Sequence, residues 1–477
     1  MRYTPVSRLD NPLQRRRAQR PERVVFVVGL AGMALLSIAY FASSRISERV
    51  VPLTAAPSET QPKVALLSSR RTPNNLSDIT RIGSFERALA TFAKNIPSSS
   101  CAQVDWLGKS HLRTNSDLQV IPASAAKVLT AAAAIDILSP THTFTTSIKA
   151  TTAPLNGVVE NLYFIGGGDP LLSRQEYIAT EKYKTLNPTS LESLADKIAA
   201  TGIRTVTGSI IVDDSRFDAV RFVDVWPSSF HYTESGPLGA LMVNDGVIIG
   251  QPTKPDDPAI SSAVELRTLL AARGITVASD PRRDVIPPNS VDIASVQSVP
   301  LTQVVQEMLV NSDNNTGEIL AKEIGVVSSK QGTTAAGLQS ILSTLTKKGI
   351  APSTILKDGS GLSNLNRVSC SDFNKVLTQY STVLPPLMAV AGETGTIRDM
   401  FNDSPMKGRL LGKTGTLNGV KALVGYLPIE SSEPVIFSLV LNATAIDNQS
   451  AYRPIWNALG TALNSAKSEP RVEQLAP

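Results

Sequence analysis

The sequence has few of the side chains from which metal sites and histidine-dependent active sites are built. Its 477 residues include two cysteines and three histidines, and neither a CxxC nor an HExxH pattern occurs. The histidines, at positions 111, 142 and 231, are scattered along the chain. Zinc sites and Ser-His-Asp triads need several such residues close together. A metal enzyme or a histidine-dependent hydrolase is therefore not expected, and no cofactor is predicted.

The two cysteines, Cys101 and Cys370, leave two interpretations open. A disulfide between them is permitted outside the cytoplasm. Two unpaired, buried thiols are the alternative, and the sequence alone does not choose between the two.

Excess positive charge is confined to the N-terminus. Residues 1–23 hold seven arginines against Asp10 and Glu22, which accounts for the whole net charge of +5. The remaining residues therefore carry no net charge and imply no basic groove. Binding of nucleic acid is not predicted.

Residues 24–44 contain no charged side chain. This run is long enough to cross a bilayer core of about 30 Å as a helix. The arginines before it place that end in the cytoplasm and everything after it outside. A cleaved signal peptide is the alternative, with Ser37-Ile-Ala39 as the cleavage site. A retained anchor is favoured because the apolar core of a signal is usually about 7–15 residues.

Residues 45–77 are rich in Pro, Ser and Thr and are predicted to form a flexible stem. A helix with Ser77 or Asp78 as its N-cap is then expected, because apolar residues recur at helical spacing. These residues are Ile79, Ile82, Phe85, Leu89 and Phe92.

Residues 120–138 form a nearly uncharged stretch that carries Lys127 three residues after Ser124. With Pro122 at the start of a helix, both side chains lie on one face. Burial lowers the pKa of an ammonium, and a neutral amine beside a hydroxyl is a general base for a serine nucleophile. The alternative is a lysine that reaches solvent from a core helix. A second Ser-x-x-Lys, residues 404–407, is predicted to be a surface loop.

Two further patterns occur once each. Ser312 and Asn314 form a Ser-x-Asn in a polar break between two apolar helices, where they can face a substrate. A helix-capping loop is the alternative. Lys413, Thr414 and Gly415 begin a strand whose glycine lets a peptide approach the backbone closely. A hairpin strand with a solvated lysine is the alternative.

Ser-x-x-Lys on a helix, Ser-x-Asn on a loop and Lys-Thr-Gly on a strand, in this order, form the active-site set of serine penicillin-recognising enzymes. Within that superfamily the chain resembles the class C low-molecular-mass penicillin-binding proteins, the D-alanyl-D-alanine carboxypeptidases/endopeptidases of peptidase family S13. The likeness extends from about Phe85 to about Leu463. It includes PASAAKVLTAAAA, NLYFIGGGDPLL, VTGSIIVDDSRF, DGSGLSNLNRVS and the GTIR that precedes KTGTL.

The resemblance implies an α+β fold like that of penicillin-binding proteins and serine β-lactamases, with an antiparallel sheet, flanking helices and an inserted α+β domain. The long separation of Lys127 from Ser312 fits such an insertion, although it looks shorter than in the longest members. The predicted organisation is a basic cytoplasmic tail (1–23), a transmembrane anchor or uncleaved signal (24–44), a stem (45–77), a catalytic domain (78–148 and 296–477) and an inserted accessory domain (149–295).

The resemblance also implies roles for individual residues. Ser124 would be the nucleophile and Lys127 its base, while Ser312 and Asn314 would shuttle protons and hold the peptide. Substrate carboxylate and backbone would be bound by Lys413, Thr414 and Gly415, and the oxyanion by the N–H groups of Ser124 and Thr416.

The implied function is trimming or cleavage of peptidoglycan stem peptides through an acyl-serine, with β-lactam antibiotics as inhibitors. The enzyme is expected at the cell membrane with its catalytic domain outside, or secreted after signal cleavage. A β-lactamase, which would need efficient deacylation, and an inactive peptidoglycan-binding protein are the alternatives.

Overall fold

The computed structural model describes residues 33–37 and 73–467. The chain divides into two units, Met1–Leu67 and Ser68–Pro477. In the first, the described residues form one helical turn at 33–37. Across the described residues, no helix has both the length and the apolar character needed to span a membrane. Residues 1–32 and 38–72, which hold the predicted tail and most of the predicted anchor and stem, lie outside the described residues.

The second unit contains both helices and strands. Its helices are α1 (Pro73–Ala93), α2 (Lys127–Leu138), α3 (Gln175–Thr180), α4 (Leu191–Ala200), α5 (Pro258–Ala271), α6 (Leu301–Val310), α7 (Asn314–Ser329), α8 (Thr334–Lys347), α9 (Cys370–Gln379) and α10 (Gln449–Leu463). Its strands are β1 (Cys101–Trp106), β2 (Lys109–Thr114), β3 (Thr145–Ala150), β4 (Val158–Val159), β5 (Leu162–Ile165), β6 (Leu172–Ser173), β7 (Thr189–Ser190), β8 (Thr205–Val206), β9 (Ile210–Asp213), β10 (Thr276–Val277), β11 (Arg282–Arg283), β12 (Val291–Gln297), β13 (Ala389–Val390), β14 (Leu411–Leu417), β15 (Val420–Leu427) and β16 (Val435–Asn442).

The main sheet has six strands in the order β13-β14-β15-β16-β1-β2, and every neighbouring pair is antiparallel. Every residue of β15 is buried, although its apolar residues alternate in the sequence. Ala422 and Val424 pack into the apolar cluster that contains α2, and Leu423 and Leu427 into the cluster on α1 and α10. Because helices cover both faces, neither face of this strand meets water.

Helix α1 begins four residues earlier than the capping residues in the sequence suggest. It starts at Pro73, so Ser77 and Asp78 lie within the helix rather than before it. Proline is favoured in the first turn because its missing N–H has no partner to lose there. The predicted apolar face is present, because Phe85, Leu89 and Phe92 are buried.

A second sheet has the order β11-β9-β5-β3-β12 and encloses a separate apolar cluster with α4 and α5. Strand β3 leads into this region of the chain and β12 leads out of it, and the two pair antiparallel. The predicted domain limits, residues 149 and 295, fall inside these two strands. The assignment of 149–295 as an accessory domain stays a prediction.

Cys101 and Cys370 form a disulfide, the pairing that the sequence left open. It joins the first residue of β1 to the first residue of α9. The main sheet is thereby linked covalently to a helix far along the chain.

Candidate active site

Ser124 lies on a 3₁₀ turn, Ala123–Ala126, that runs directly into α2. Two glycines pack closely against the backbone of this turn. A Cβ on Gly361 would lie 2.1 Å from the Ala123 carbonyl oxygen, and one on Gly415 would lie 2.5 Å from the Pro122 carbonyl oxygen. Both contacts are far closer than a side chain permits, so these glycines are what allow the turn to sit between two neighbouring segments.

Lys127 is fully buried, and its ammonium is surrounded by oxygens. Nζ lies 2.6 Å from Asn314 Oδ1, 2.6 Å from the Ser360 carbonyl oxygen and 3.1 Å from Ser124 Oγ. Burial lowers the pKa of Lys127 to about 8, and nearby carboxylates, first that of Asp313, oppose the drop. A neutral amine here would donate to the two carbonyl oxygens and keep its lone pair for the hydroxyl proton of Ser124.

The Ser-x-Asn segment serves both as a helix cap and as part of the site. Asp313 caps α7 by accepting hydrogen bonds from the N–H groups of Asn315 and Thr316. Ser312 has φ of 66°, a left-handed conformation that is uncommon outside glycine and concentrated at functional sites. Asn314 accepts from Lys127 through Oδ1 and donates through Nδ2 to the Glu234 carbonyl oxygen at 2.7 Å. The capping alternative therefore holds for Asp313, whereas Ser312 and Asn314 line a cleft and their contact with a substrate stays a prediction.

Lys413 is also fully buried and connects the other two motifs. Its Nζ donates to Ser312 Oγ at 2.7 Å and to the Thr414 carbonyl oxygen at 2.8 Å. Burial holds the pKa of Lys413 well below its usual value, and the charges of Lys127 and Lys421 act in the same direction. The solvated-lysine alternative for this strand is therefore wrong.

One edge of β14 is open where the third motif lies. Strand β13 pairs with Leu411 and Gly412, so within the described residues 413–417 have no strand partner on that side. An open edge can take up an extended peptide through main-chain hydrogen bonds. The missing side chain of Gly415 is required by the Ser124 turn, not only by an approaching substrate.

The motifs meet at a cleft of about 720 Å³. Of the predicted site residues, the cleft is lined by Ser124, Ser312, Asn314, Thr414 and Thr416. Lys127, Lys413 and Gly415 lie behind this lining and contact it from the buried side. Phe230 and Glu234, from the region between the first two motifs, also line the cleft.

Residues 358–360 support Lys127, a role that the sequence analysis did not assign. Asp358 is fully buried and accepts hydrogen bonds from the Gly361 N–H and from Trp226 Nε1. Glu318, one turn after Asn314, accepts from the Ser360 N–H at 2.7 Å. The Ser360 carbonyl oxygen is thereby held toward Lys127. The run DGSG, an acid among small residues, is the signal that predicts a tight buried loop.

The arrangement of a hydroxyl, a buried amine and an open strand edge suits acyl transfer to Ser124. The family described as D-Ala-D-Ala carboxypeptidase 3 (S13) matches residues 107–258 and 253–460. The chain is 28% identical to a D-alanyl-D-alanine carboxypeptidase of Actinomadura sp. over 410 residues, covering 68% of this chain and 73% of the relative. It is 29% identical to carboxypeptidase DacB of Mycolicibacterium smegmatis over 354 residues, with the same two coverages.

Among solved structures, penicillin binding protein 4 of Haemophilus influenzae matches with a TM-score of 0.67. Sequence identity is 20%, and the match covers 80% of this chain and 99% of that one. The same protein complexed with a β-lactam matches with a TM-score of 0.62. These likenesses confirm the predicted penicillin-binding-protein fold of the main body.

Proposed function

Because the chain belongs to the D-Ala-D-Ala carboxypeptidase 3 (S13) family, we propose that it cleaves peptidoglycan stem peptides with Ser124 as its nucleophile. It is a serine-type D-Ala-D-Ala carboxypeptidase/endopeptidase, a hydrolase that is acylated by β-lactams. One observation carries the assignment of the nucleophile. Lys127 Nζ lies 3.1 Å from Ser124 Oγ and is fixed from behind by the oxygens of Asn314 and Ser360.

In the acylation step, Ser124 Oγ attacks the carbonyl carbon of the penultimate D-alanine while its proton passes to Lys127 Nζ. The C–O bond forms, and the negative charge on the carbonyl oxygen is stabilised by the N–H groups of Ser124 and Thr416. When the C–N bond breaks, the leaving amine takes a proton that reaches it through Lys127 or through Ser312, which accepts a hydrogen bond from Lys413. Water then attacks the acyl-serine and releases the trimmed peptide.

Binding of the peptide is assigned to the open edge of β14. An extended substrate backbone can pair with residues 413–417, while the hydroxyls of Thr414 and Thr416 face the cleft. The Thr414 hydroxyl donates to Thr396 Oγ1 at 2.8 Å, which fixes its orientation. Lys413 Nζ lies behind this edge and acts on the bound peptide through Ser312 Oγ, to which it donates a hydrogen bond.

The test is intact-protein mass spectrometry of the full chain after incubation with benzylpenicillin. We expect one penicilloyl group on the wild type, none on Ser124→Ala, and one on Ser404→Ala, which alters the other Ser-x-x-Lys. Absence of an adduct with intact penicillin would favour an inactive binding protein. Absence of an adduct with hydrolysed penicillin would point to a β-lactamase.

We also propose that residues 24–44 anchor the enzyme in the membrane and that the catalytic domain lies outside it. The support is the uncharged run after seven arginines and the Cys101–Cys370 disulfide, which is typical of an oxidising compartment. Protease treatment of intact spheroplasts should digest the catalytic domain, and the full N-terminal mass should remain in the membrane fraction. Protection from the protease would contradict the orientation, and a shortened N-terminus would indicate a cleaved signal.

A further inference from the structure

Lys421 is a buried lysine at the active-site cleft that belongs to none of the three motifs. It lies on β15 directly opposite Thr416 on β14. Opposite residues of an antiparallel pair share one face of the sheet, so the two side chains emerge together. Lys421 Nζ donates a hydrogen bond to Thr416 Oγ1 at 2.9 Å. Only 8% of Lys421 is exposed, yet it contributes to the lining of the cleft.

Two aromatic rings of α10 hold the Lys421 ammonium in place. Nζ lies 4.2 Å from the ring centre of Tyr452 and 5.2 Å from that of Trp456, and both rings are buried. A cation against a ring face is attracted by the ring's quadrupole, more strongly where water is excluded. The ammonium therefore has a fixed position beside Thr416 instead of the mobility of a surface lysine.

This contact limits what the Thr416 hydroxyl can do. An ammonium only donates hydrogen bonds, whereas a hydroxyl has one proton and two acceptor positions. With Lys421 donating to its oxygen, the proton of Thr416 must point elsewhere. Thr416 is exposed and lines the same cleft as Ser124 and Thr414, so its proton is free to point to a ligand in that cleft.

We propose that Lys421 is a positioning residue that fixes Thr416 as a hydrogen-bond donor to the terminal carboxylate of the peptide substrate. The inference rests on the proposed peptidase function and deepens it. An anion is the fitting partner, because the cation behind Thr416 polarises its hydroxyl toward a negative acceptor. Two basic side chains, Lys421 and Arg453, line the cleft together with one acidic side chain, Asp447. Asp447 already accepts a hydrogen bond from the Gly419 N–H.

The test compares diacetyl-L-lysyl-D-alanyl-D-alanine with its C-terminal amide in steady-state hydrolysis by the full chain. Lys421→Met should lower kcat/KM for the carboxylate substrate roughly 10- to 100-fold, the range for losing a hydrogen bond to a charged group. The loss should appear mainly in KM. Hydrolysis of the amide should change less than about threefold, because the amide offers no anionic acceptor. Selectivity for the free carboxylate would therefore collapse.

Three further variants complete the design. Thr416→Val should lose selectivity for the carboxylate substrate to the same extent. The double variant should lose no more selectivity than Thr416→Val alone. Lys421→Arg should retain most of the wild-type selectivity. Lys348→Met is the matched control, because Lys348 also lies over a ring, that of Tyr380, but does not line the cleft. It should leave both substrates unaffected.

Equal losses for the carboxylate and amide substrates would mean that Lys421 only supports the fold, and would overturn the proposal. If Lys421→Met does not fold, unchanged selectivity in Thr416→Val would overturn it equally. Wild-type protein that neither cleaves the peptide nor reacts with benzylpenicillin would instead refute the proposed function. The two failures are thus distinguishable.

Discussion

At the scale of single residues, the site depends on amines kept out of water. Lys127 and Lys413 are both fully buried, and burial is the largest cause of the lowered pKa of each. Their oxygen partners differ. Lys127 contacts two carbonyl oxygens and the Ser124 hydroxyl, whereas Lys413 contacts one carbonyl oxygen and the Ser312 hydroxyl. Each lysine is thus paired with one serine of the cleft.

The first prediction concerns pH. In the proposed mechanism Lys127 must be neutral to accept the Ser124 proton, and burial lowers the pKa of Lys127 to about 8. The neutral fraction is therefore about one-tenth at pH 7 and rises through pH 8. We expect the second-order rate constant for acylation by benzylpenicillin to increase about tenfold per pH unit between pH 6 and 7 and to level off above about pH 8.

Stopped-flow or quenched mass spectrometry between pH 6 and 9 measures this profile. Lys127→Arg, which keeps a positive charge but cannot act as a base near neutrality, should lose acylation while remaining folded. A flat profile across this range would exclude neutral Lys127 as the base.

At the scale of elements, the active site is a junction between a turn, a strand and a loop. The 3₁₀ turn before α2 touches β14 through Gly415 and the 358–361 loop through Gly361. Gly361 also has φ of 86°, a left-handed conformation that favours glycine. The position of Ser124 is thus set from two sides by elements distant in the chain.

The second prediction tests the contact between β14 and the turn. Gly415→Ala would place a Cβ 2.5 Å from the Pro122 carbonyl oxygen, and backbone on both sides must move apart. A displacement of about 1 Å at a reacting group can cost about 100-fold in rate. We expect penicillin acylation to fall roughly 10- to 100-fold, measured as a second-order rate constant.

Gly412→Ala, on the same strand, provides the matched control. Its Cβ would meet Leu423 Cδ1 at 3.0 Å, the end of a flexible side chain. Acylation by this variant should stay close to that of the wild type. Equal rates for Gly415→Ala and wild type would show that the close packing of β14 on the turn is not needed for the chemistry.

At the scale of the whole molecule, the catalytic body is held together by helices on both faces of the main sheet and by one cross-link. The Cys101–Cys370 disulfide spans a sequence separation of 269 residues. A cross-link between distant residues restricts the unfolded chain more than a short loop does. The disulfide therefore contributes to the stability of the fold rather than to the chemistry.

The third prediction follows from this cross-link. The double variant Cys101→Ala/Cys370→Ala should lower the free energy of unfolding by about 2–5 kcal/mol. Urea unfolding followed by circular dichroism measures the difference. Wild-type protein treated with reductant should resemble the variant, whereas the variant should not respond to reductant. A wild-type midpoint that reductant leaves unchanged would contradict the prediction.

The sequence by itself identified the three motifs and their order, and hence the family and the fold of the main body. It placed Ser124 on a helix, whereas Ser124 lies on the 3₁₀ turn that leads into α2. Ser124 and Lys127 were predictable because helical spacing is a local property of the chain. The starts of α7 and α1 were harder to predict, because several residues near each start can act as the cap. Asn314, which was predicted in a polar break, is the first residue of α7, and α1 begins at Pro73 rather than after Ser77 or Asp78.

Only the tertiary structure decided which distant residues meet. Four contacts join segments that are far apart in the sequence. They are the cysteine pairing, the support of Lys127 by the loop after Lys357, the contact of Gly415 with the Ser124 turn, and the contact of Lys421 with the rings of Tyr452 and Trp456. The local sequence pattern indicates which secondary structure each segment favours. Contacts between segments depend on how the chain packs, because burial and close approach are properties of the folded molecule as a whole.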